Sequence, residues 1–507
     1  MVIRIASRKS DLARIQAYAV GKVLEQFQPS LKVQHHFRES LGDINLHDPL
    51  WKMPTQGVFT EDFYRDLADD KADMVVHSWK DLPVIERPDT EVYATLPRAD
   101  LRDILLVKKK SISAIRSSGQ IKIFSSSPRR EYNLRPLLQE ILPFKLESVS
   151  FTSVRGNVPT RLQKLFSEEA DGLVLAKAAL DRILEAPGGE FVPVKEQIRK
   201  LLGETFWMVL PLSQNPAAAA QGALAIEICR SRDDLRELLD RVCCASTWRS
   251  AQEERKILSG YGGGCHQKIG VSVLKRSFGQ IIYLKGLTDR GETLDRCQLV
   301  RAKAMTWPKT TIDKIFPAKP GGDLFFEREN VTVDKSLLAN RDLWVARADA
   351  LPDEYAPLPS QRIWCSGVST WKKLALRGIW VNGCADSLGE REEPSVDTLV
   401  GAKINWLKLT HEAGVGTKNG LDTLGTYRLR PKNSLPDLMD KSYFYWTSFS
   451  QFRLATERWP EIEKGFHACG PGHTYDLISS RIGERGGGEG KVEVFLSHTD
   501  WLKEVLL

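Results

Sequence analysis

The chain has 507 residues, 42% hydrophobic, 27% charged and 8% aromatic, with a mean hydropathy of −0.29. This composition can bury large cores, which excludes a disordered chain or one needing disulfide staples, and at ~150 residues per domain it predicts about three to four domains. Lys and Arg outnumber Asp and Glu by 72 to 65, a net charge of +7, with no basic block of the kind a nucleic-acid tail needs. No run of ~18 apolar residues occurs; the richest stretch, Ala217 to Ile228, is broken by Gln221 and Glu227. Met-Val-Ile-Arg-Ile-Ala at the N-terminus reads as a strand rather than a signal peptide. The expectation is a soluble, cytoplasmic protein with neither membrane nor nucleic-acid partners. Eight cysteines contain no C-x-x-C pair, so reduced thiols are expected, and no metal.

In chain order, Val2 to Ala6 reads as a strand, and Leu12, Ile15, Ala19, Val23 and Phe27 recur at helical spacing. Met74–Val76, Ile104–Val107, Ile121–Phe124 and Leu173–Leu175 are further strands separated by helical patterns, the α/β signature. Residues 233–260 predict a helix pair, followed by Gly262-Gly263-Gly264 and strands near Ile269–Leu274 and Ile281–Leu284. Pro308, Pro317, Pro320 and Gly321-Gly322 predict a linker over 306–342, with a second α/β unit over 343–507.

Three predicted strand-to-helix junctions are rich in Ser and Arg. Arg8 and Ser10 sit at the first. Ser125, Ser126, Ser127, Arg129 and Arg130 form the second, with Ser127 as N-cap and Pro128 at the first helical position. Arg155, Asn157 and Arg161 surround the third. Helix N-termini attract anions, and arginine forks add bidentate carboxylate recognition. One such junction reads more simply as capping with solvated arginines; three together favour an acidic small-molecule ligand. His77-Ser78-Trp79-Lys80-Asp81-Leu82-Pro83 follows a buried strand, where α/β proteins place their sites. A lone carboxylate among cations can stabilise a developing positive charge or carry a proton, and it can equally cap a helix. Cys265, after three glycines, is either an accessible thiol able to form a covalent link or a small buried hydrophobe.

Seven segments in order resemble porphobilinogen deaminase (hydroxymethylbilane synthase): IASRKSDLA, Gly42-Asp43, VHSWKDLP, SSSPRR, RGNVPTRLQKL, QGALAIE and GGGC, across roughly residues 1–305. The resemblance implies two periplasmic-binding-protein-like domains, residues 1–98 with 204–230 and residues 99–203, plus a small α+β third domain at 231–305. It implies head-to-tail condensation of four porphobilinogen molecules, with loss of ammonia, on a dipyrromethane cofactor held by Cys265. Asp81 falls at the family's catalytic aspartate, with Lys80 and Arg8 beside it. Arg129, Arg130, Arg155, Arg161 and Arg182 match its basic positions, and Ser10, Ser78, Ser125, Ser126 and Ser127 its hydroxyl positions. The partners implied are porphobilinogen and linear pyrrole chains in tetrapyrrole and heme biosynthesis, handled by a monomer. Gln56 stands where the family usually has lysine, and Phe124, Ala179 and Ala220 where it has glycine, adding bulk near the expected cleft.

The C-terminal α/β unit resembles a shortened uroporphyrinogen-III synthase through Tyr427–Pro431, Phe444–Ser448, Ala468–Thr474 and Ser366–Thr370. Thr447, Ser448 and Thr474 are the contacts this implies, with ordinary helix capping as the alternative. The sequence therefore predicts a deaminase fused to a synthase-like domain, against a deaminase with a non-catalytic appendage or a non-enzymatic polycarboxylate binder.

Overall fold

The computed structural model describes residues 1–39, 61–84, 87–263, 267–302, 306–389, 392–412, 422–484 and 492–507. It divides into two compact units. The first comprises Met1–Lys275, Ile282–Arg296 and Ser395–Ala402, the second Arg276–Ile281, Cys297–Pro394 and Lys403–Leu507.

The first unit holds two lobes. Lobe 1 contains β1 (Val2–Arg8), α1 (Asp11–Phe27), β2 (Lys32–Arg38), α2 (Glu61–Ala68), β3 (Met74–Ser78) and β4 (Thr90–Ala94). Lobe 2 contains β5 (Asp103–Lys108), α3 (Ile112–Ser118), β6 (Gln120–Phe124), α4 (Pro128–Ile141), β7 (Ser148–Thr152), α5 (Val158–Ser167), β8 (Gly172–Ala176), α6 (Lys177–Glu185), α7 (Val192–Gly203) and β9 (Thr205–Val209). The chain then returns to lobe 1 as β10 (Leu224–Cys229). The sheet orders are β2-β1-β3-β10-β4 and β7-β6-β8-β5-β9. In each, three parallel strands are followed by two antiparallel neighbours, so the lobes repeat one topology. Central strands β5 and β8 are buried along their whole length, which is why they read as continuous apolar runs, whereas β2 alternates at the sheet edge. Because β9 pairs with β5 from Lys108↔Thr205 to Ile104↔Val209, the return to lobe 1 falls after Val209 and not at 204 as expected.

Beyond β10 come the predicted helix pair, α8 (Asp233–Asp240) and α9 (Ala245–Ser259). A three-stranded sheet follows, ordered β11 (Gly270–Arg276), β12 (Gly279–Leu287) and β13 (Thr293–Arg301). Glu254 on α9 is fully buried and receives hydrogen bonds from Arg98 (2.8 and 2.7 Å), Ala220 N (2.7 Å) and Val273 N (2.8 Å), joining the helix to the turn before β10 and to β11. Two of the residues expected to add bulk near the cleft are core residues: Ala220 packs with Trp79 while keeping a left-handed φ of 61°, and Phe124 is buried at the end of β6.

The second unit corrects the linker expectation. Within 306–342 lie β14 (Ile315–Phe316) and β15 (Phe326–Asn330), and Trp307, Phe316 and Phe325 are core residues. The apolar members of this stretch are separated by Pro and Gly, which hid a strand of only two residues. β14 opens a four-stranded parallel sheet, ordered β14-β21-β22-β23, with β21 at Tyr443–Trp446, β22 at Phe466–Cys469 and β23 at Val492–Val494. Between β14 and β21 the chain builds another sheet, ordered β15-β20-β19-β16-β17-β18. Its strands are β16 (Asp342–Val345), β17 (Ile363–Cys365), β18 (Gly383–Cys384), β19 (Trp406–His411) and β20 (Asp422–Pro431). Helices α10 (Val368–Leu376), α12 (Phe449–Arg458), α13 (His473–Glu484) and α14 (His498–Val505) complete the unit, while the short α11 (Asp397–Val400) belongs to the first. The outgoing β15 and the returning half of β20 pair antiparallel. Among the described residues no helix is long and apolar enough to cross a membrane.

Candidate functional site

The predicted junctions lie at the carboxyl ends of parallel strands. β1 ends at Arg8 and enters α1 through Ser10. β3 ends at Ser78 and turns directly into a short 3₁₀ helix, Trp79–Asp81. In lobe 2, β6 runs into α4, where Ser127 Oγ accepts from Arg130 N as an N-cap. After β7, Asn157 Oδ1 accepts from Thr160 N and starts α5.

Electrostatics shows which of these side chains converge. Burial pulls the Arg161 guanidinium down to about 10; Arg130, Arg155 and Arg8 push the same way, while Asp81 opposes them. One arginine of lobe 2 therefore senses Arg8 and Asp81 of lobe 1 together with two arginines of its own lobe. Burial likewise brings the Lys80 ammonium down to about 8, with Asp81 resisting and Arg130 assisting. Lys80 Nζ donates to Gln221 Oε1 at 3.2 Å. Asp81 itself is exposed. The arrangement is the exposed Asp81 carboxylate with Lys80, Arg8, Arg155 and Arg161, cations drawn from both lobes.

Not every expected residue joins it. Arg129 and Arg130 were expected to receive ligand carboxylates, but their guanidinium groups turn inward to the fully buried Asp103 at the start of β5, at 2.8 and 2.7 Å. Arg129 also donates to the carbonyl of Pro216 (2.7 Å) and to Asn215 Oδ1 (3.2 Å), and Arg130 to the carbonyl of Val174 (3.2 Å). Asn215 Nδ2 and Gln221 Nε2 each reach Asp103 at 2.9 Å. Burial alone would raise the Asp103 pKa; Arg129, Arg130 and these donors instead hold it well below the usual carboxylate range. A buried carboxylate requires such partners, and it takes the forks that the sequence appeared to leave for a ligand.

The hydroxyls are similarly engaged. Ser78 Oγ exchanges hydrogen bonds with the buried Gln16 (3.0 and 3.2 Å). Ser125 Oγ accepts from Ser127 N (3.3 Å). Ser126 Oγ donates to the carbonyl of Val154 (2.6 Å) and accepts from Val154 N (3.0 Å), locking the β6 turn to the β7 turn. Arg182 on α6 donates to the carbonyl of Gly222 at 2.6 Å, and burial lowers its guanidinium to about 10.

Sequence reasoning missed Arg255. From α9 its guanidinium donates to the carbonyls of Trp79 (3.5 Å), Leu82 (3.2 Å) and Pro83, the backbone that carries Lys80 and Asp81. Trp248 of the same helix packs on Trp79 with centroids 5.0 Å apart. A Cβ at Gly263 would lie 3.2 Å from Val84 Cγ2, so the glycine turn approaches the end of that loop. The signal in the sequence was a run of charges, Glu253-Glu254-Arg255-Lys256, inside a helical pattern. Cys265, Gly42-Asp43 and Gln56 lie outside the described residues.

In the second unit, Ser448 Oγ accepts from Gln451 N and caps α12, and Thr447 Oγ1 donates to Gln451 Oε1 at 2.9 Å. Thr474 lies in the first turn of α13, after Gly472 at φ 103°.

Fold and site define a two-lobed α/β protein with an exposed carboxylate among cations at its strand ends. Residues 3–237 match the family model described as porphobilinogen deaminase, dipyromethane cofactor binding domain. The porphobilinogen deaminase of Desulfitobacterium hafniense is 32% identical over 285 residues, 56% of this chain and 83% of the relative. That of Syntrophomonas wolfei is 32% identical over 289 residues, 56% and 84% of the two chains. An ABC transporter structure from Parabacteroides distasonis, 11% identical, covers 52% of this chain and 79% of that one at a TM-score of 0.27, too low to bear on the fold. The chain belongs to the porphobilinogen deaminase family, a family of transferases in porphyrin and heme biosynthesis with a dipyrromethane cofactor. The cations of both lobes suit such a group, whose pyrroles carry carboxylates.

Proposed function

We propose that the first unit is a hydroxymethylbilane synthase, joining four porphobilinogen molecules and one water into hydroxymethylbilane with release of four ammonia molecules. The observation that carries this reading is the exposed Asp81 beside Lys80 and Arg161, on a surface that Arg8 and Arg155 also charge. Dipyrromethane, bound through Cys265, would supply the nucleophilic pyrrole carbon. Asp81 would deliver a proton to the departing amino nitrogen and offset the cation left on the substrate. Arg8, Arg155, Arg161 and Arg182 would pair with acetate and propionate groups. Arg129 and Arg130 would act at one remove, through Asp103, by fixing the lobe 2 wall.

For the second unit, the proposal is a synthase-like lobe pair that receives the linear tetrapyrrole, with tethering raising the local concentration of an unstable intermediate. The chain's exit and return through β15 and β20 supports this reading. The competing appendage reading is favoured by Thr447 and Ser448, whose hydroxyls are spent on Gln451 and the start of α12.

The test is incubation of the purified chain with porphobilinogen alone, followed by oxidation and separation of the uroporphyrin isomers. Mostly isomer III supports both activities; isomer I alone keeps the deaminase and demotes the second unit. Absence of porphyrin overturns the proposal. Intact mass of Cys265→Ser should lack a covalent dipyrromethane increment, and an unchanged mass would refute the attachment.

A further inference from the structure

Eight residues of the first unit come from far along the chain. After Pro394 the sequence contributes Ser395–Ala402 to the first unit and resumes the second at Lys403. This segment contains α11, which packs on α6. Its polar contacts are specific. Lys177, fully buried at the start of α6, donates to Asp181 Oδ2 (2.6 Å) and to the carbonyl of Ser395 (2.5 Å), with Asp100 Oδ2 at 3.4 Å. Arg199 Nη1 on α7 donates to the carbonyl of Leu399 at 3.0 Å. Thr398 Oγ1 donates to Glu185 Oε1 at 2.5 Å.

Two features fit the segment to this surface. Gly401 has φ +81°, and a Cβ there would stand 3.0 Å from Arg199 Nη1, so a side chain would crowd the guanidinium that holds Leu399. A buried ammonium must satisfy its donors with anions and acceptors. Asp181 and the Ser395 carbonyl do so, and without the segment one of those acceptors is lost and Lys177 is uncovered. The occupant of this face of lobe 2 is therefore a named piece of the same chain.

The face belongs to a helix that matters for the site. Lys177, Asp181 and Glu185 are spaced by four and line one side of α6, whereas Arg182 lies about 100° round from Asp181 and reaches the carbonyl of Gly222. α6 also packs against α1 of lobe 1. We infer that residues 395–402 form a strap that holds α6 and α7 in register, making Lys177 and Arg199 positioning residues for Arg182. The part concerning Arg182 rests on the deaminase reading; the docking of the strap does not.

The experiment uses the full chain carrying Arg199→Ala or, from the strap side, Gly401→Val, with Arg199→Lys as the conservative control. Hydrogen exchange by mass spectrometry is read over α6 and α7, and kcat and KM for porphobilinogen are measured in parallel. The expected result is about tenfold faster exchange in α6 and α7 in the first two variants, with KM up about three- to tenfold and kcat within about twofold. Arg199→Lys should fall between these and the parent, since its ammonium still reaches a carbonyl. Unchanged exchange in both disruptive variants overturns the strap. Faster exchange with unchanged KM overturns the positioning of Arg182. A parent chain without turnover sinks the deaminase reading and the Arg182 role with it, and the exchange data still decide docking.

Discussion

Replacing Arg255 by Met keeps an apolar stem and removes the guanidinium that gathers three carbonyls of the Trp79–Pro83 loop. Two of those bonds are long, at 3.5 and 3.2 Å, so they count for little beside the one to Pro83. With hydrogen bonds to a charged donor worth about 1.5–3 kcal/mol each, the half-buried cluster as a whole is worth about 2–4 kcal/mol. That energy holds a loop rather than a core element, so the protein should still fold. Its cost should appear as misplacement of Asp81, and a displacement of ~1 Å can slow catalysis on the order of a hundredfold. The assay is porphobilinogen turnover of Arg255→Met, with intact mass to establish that the dipyrromethane increment is present. The expected outcome is kcat lowered about 30- to 100-fold with the cofactor mass retained and altered Trp fluorescence from the Trp79–Trp248 pair. Arg255→Lys should recover part of the loss, because an ammonium can serve one carbonyl but not three. A kcat within about twofold of the parent, in a folded and cofactor-loaded variant, would refute the reasoning.

Asp81→Asn should leave the melting temperature and cofactor mass nearly unchanged while turnover collapses by at least about a hundredfold, as expected for loss of a proton donor; near-normal turnover removes Asp81 from that role. Asp103→Asn leaves two buried arginines without the carboxylate that neutralises them, and should cost about 3–5 kcal/mol of stability by calorimetry or denaturant titration. Because the Asp103 pKa is lowered on folding, its contribution is complete above the unfolded carboxylate value of about 3.9 and fades as pH falls below it. The Asp103→Asn penalty should therefore be flat from about pH 8 to 5 and shrink below about pH 4; a penalty that grows in acid contradicts the assignment. Lys80 loses its proton near 8, so KM for porphobilinogen should rise between pH 7 and 9, and Lys80→Arg should flatten that rise; an unaltered profile excludes Lys80 as its origin.

The parts of the site legible in the sequence are those governed by chemistry within a turn of chain. Ser127 before Pro128 caps α4, Asn157 caps α5, and Arg8, Ser78 and Asp81 follow apolar runs that become β1 and β3. What was misread involves partners far apart. Arg129 and Arg130 meet Asp103 across 26 and 27 positions, and a motif cannot tell whether a fork faces a ligand or a buried carboxylate. Arg255 reaches the Asp81 loop across more than 170 positions, from a helix whose pattern betrays only that it is amphipathic.

By itself the sequence determined the α/β class, strands β1, β3, β5, β6 and β8, the starts of α4 and α5, the family and the candidates at the strand ends, because propensity, capping and hydrophobic period act over a few residues. Only the tertiary structure decided that β9 pairs in lobe 2, that β14 and β15 occupy the expected linker, and that Ser395–Ala402 belongs to the first unit. It also decided which arginines are spent inside. Strand pairing and the neutralisation of buried charge are settled by whichever distant groups come together when the core closes, and local pattern carries no record of that choice.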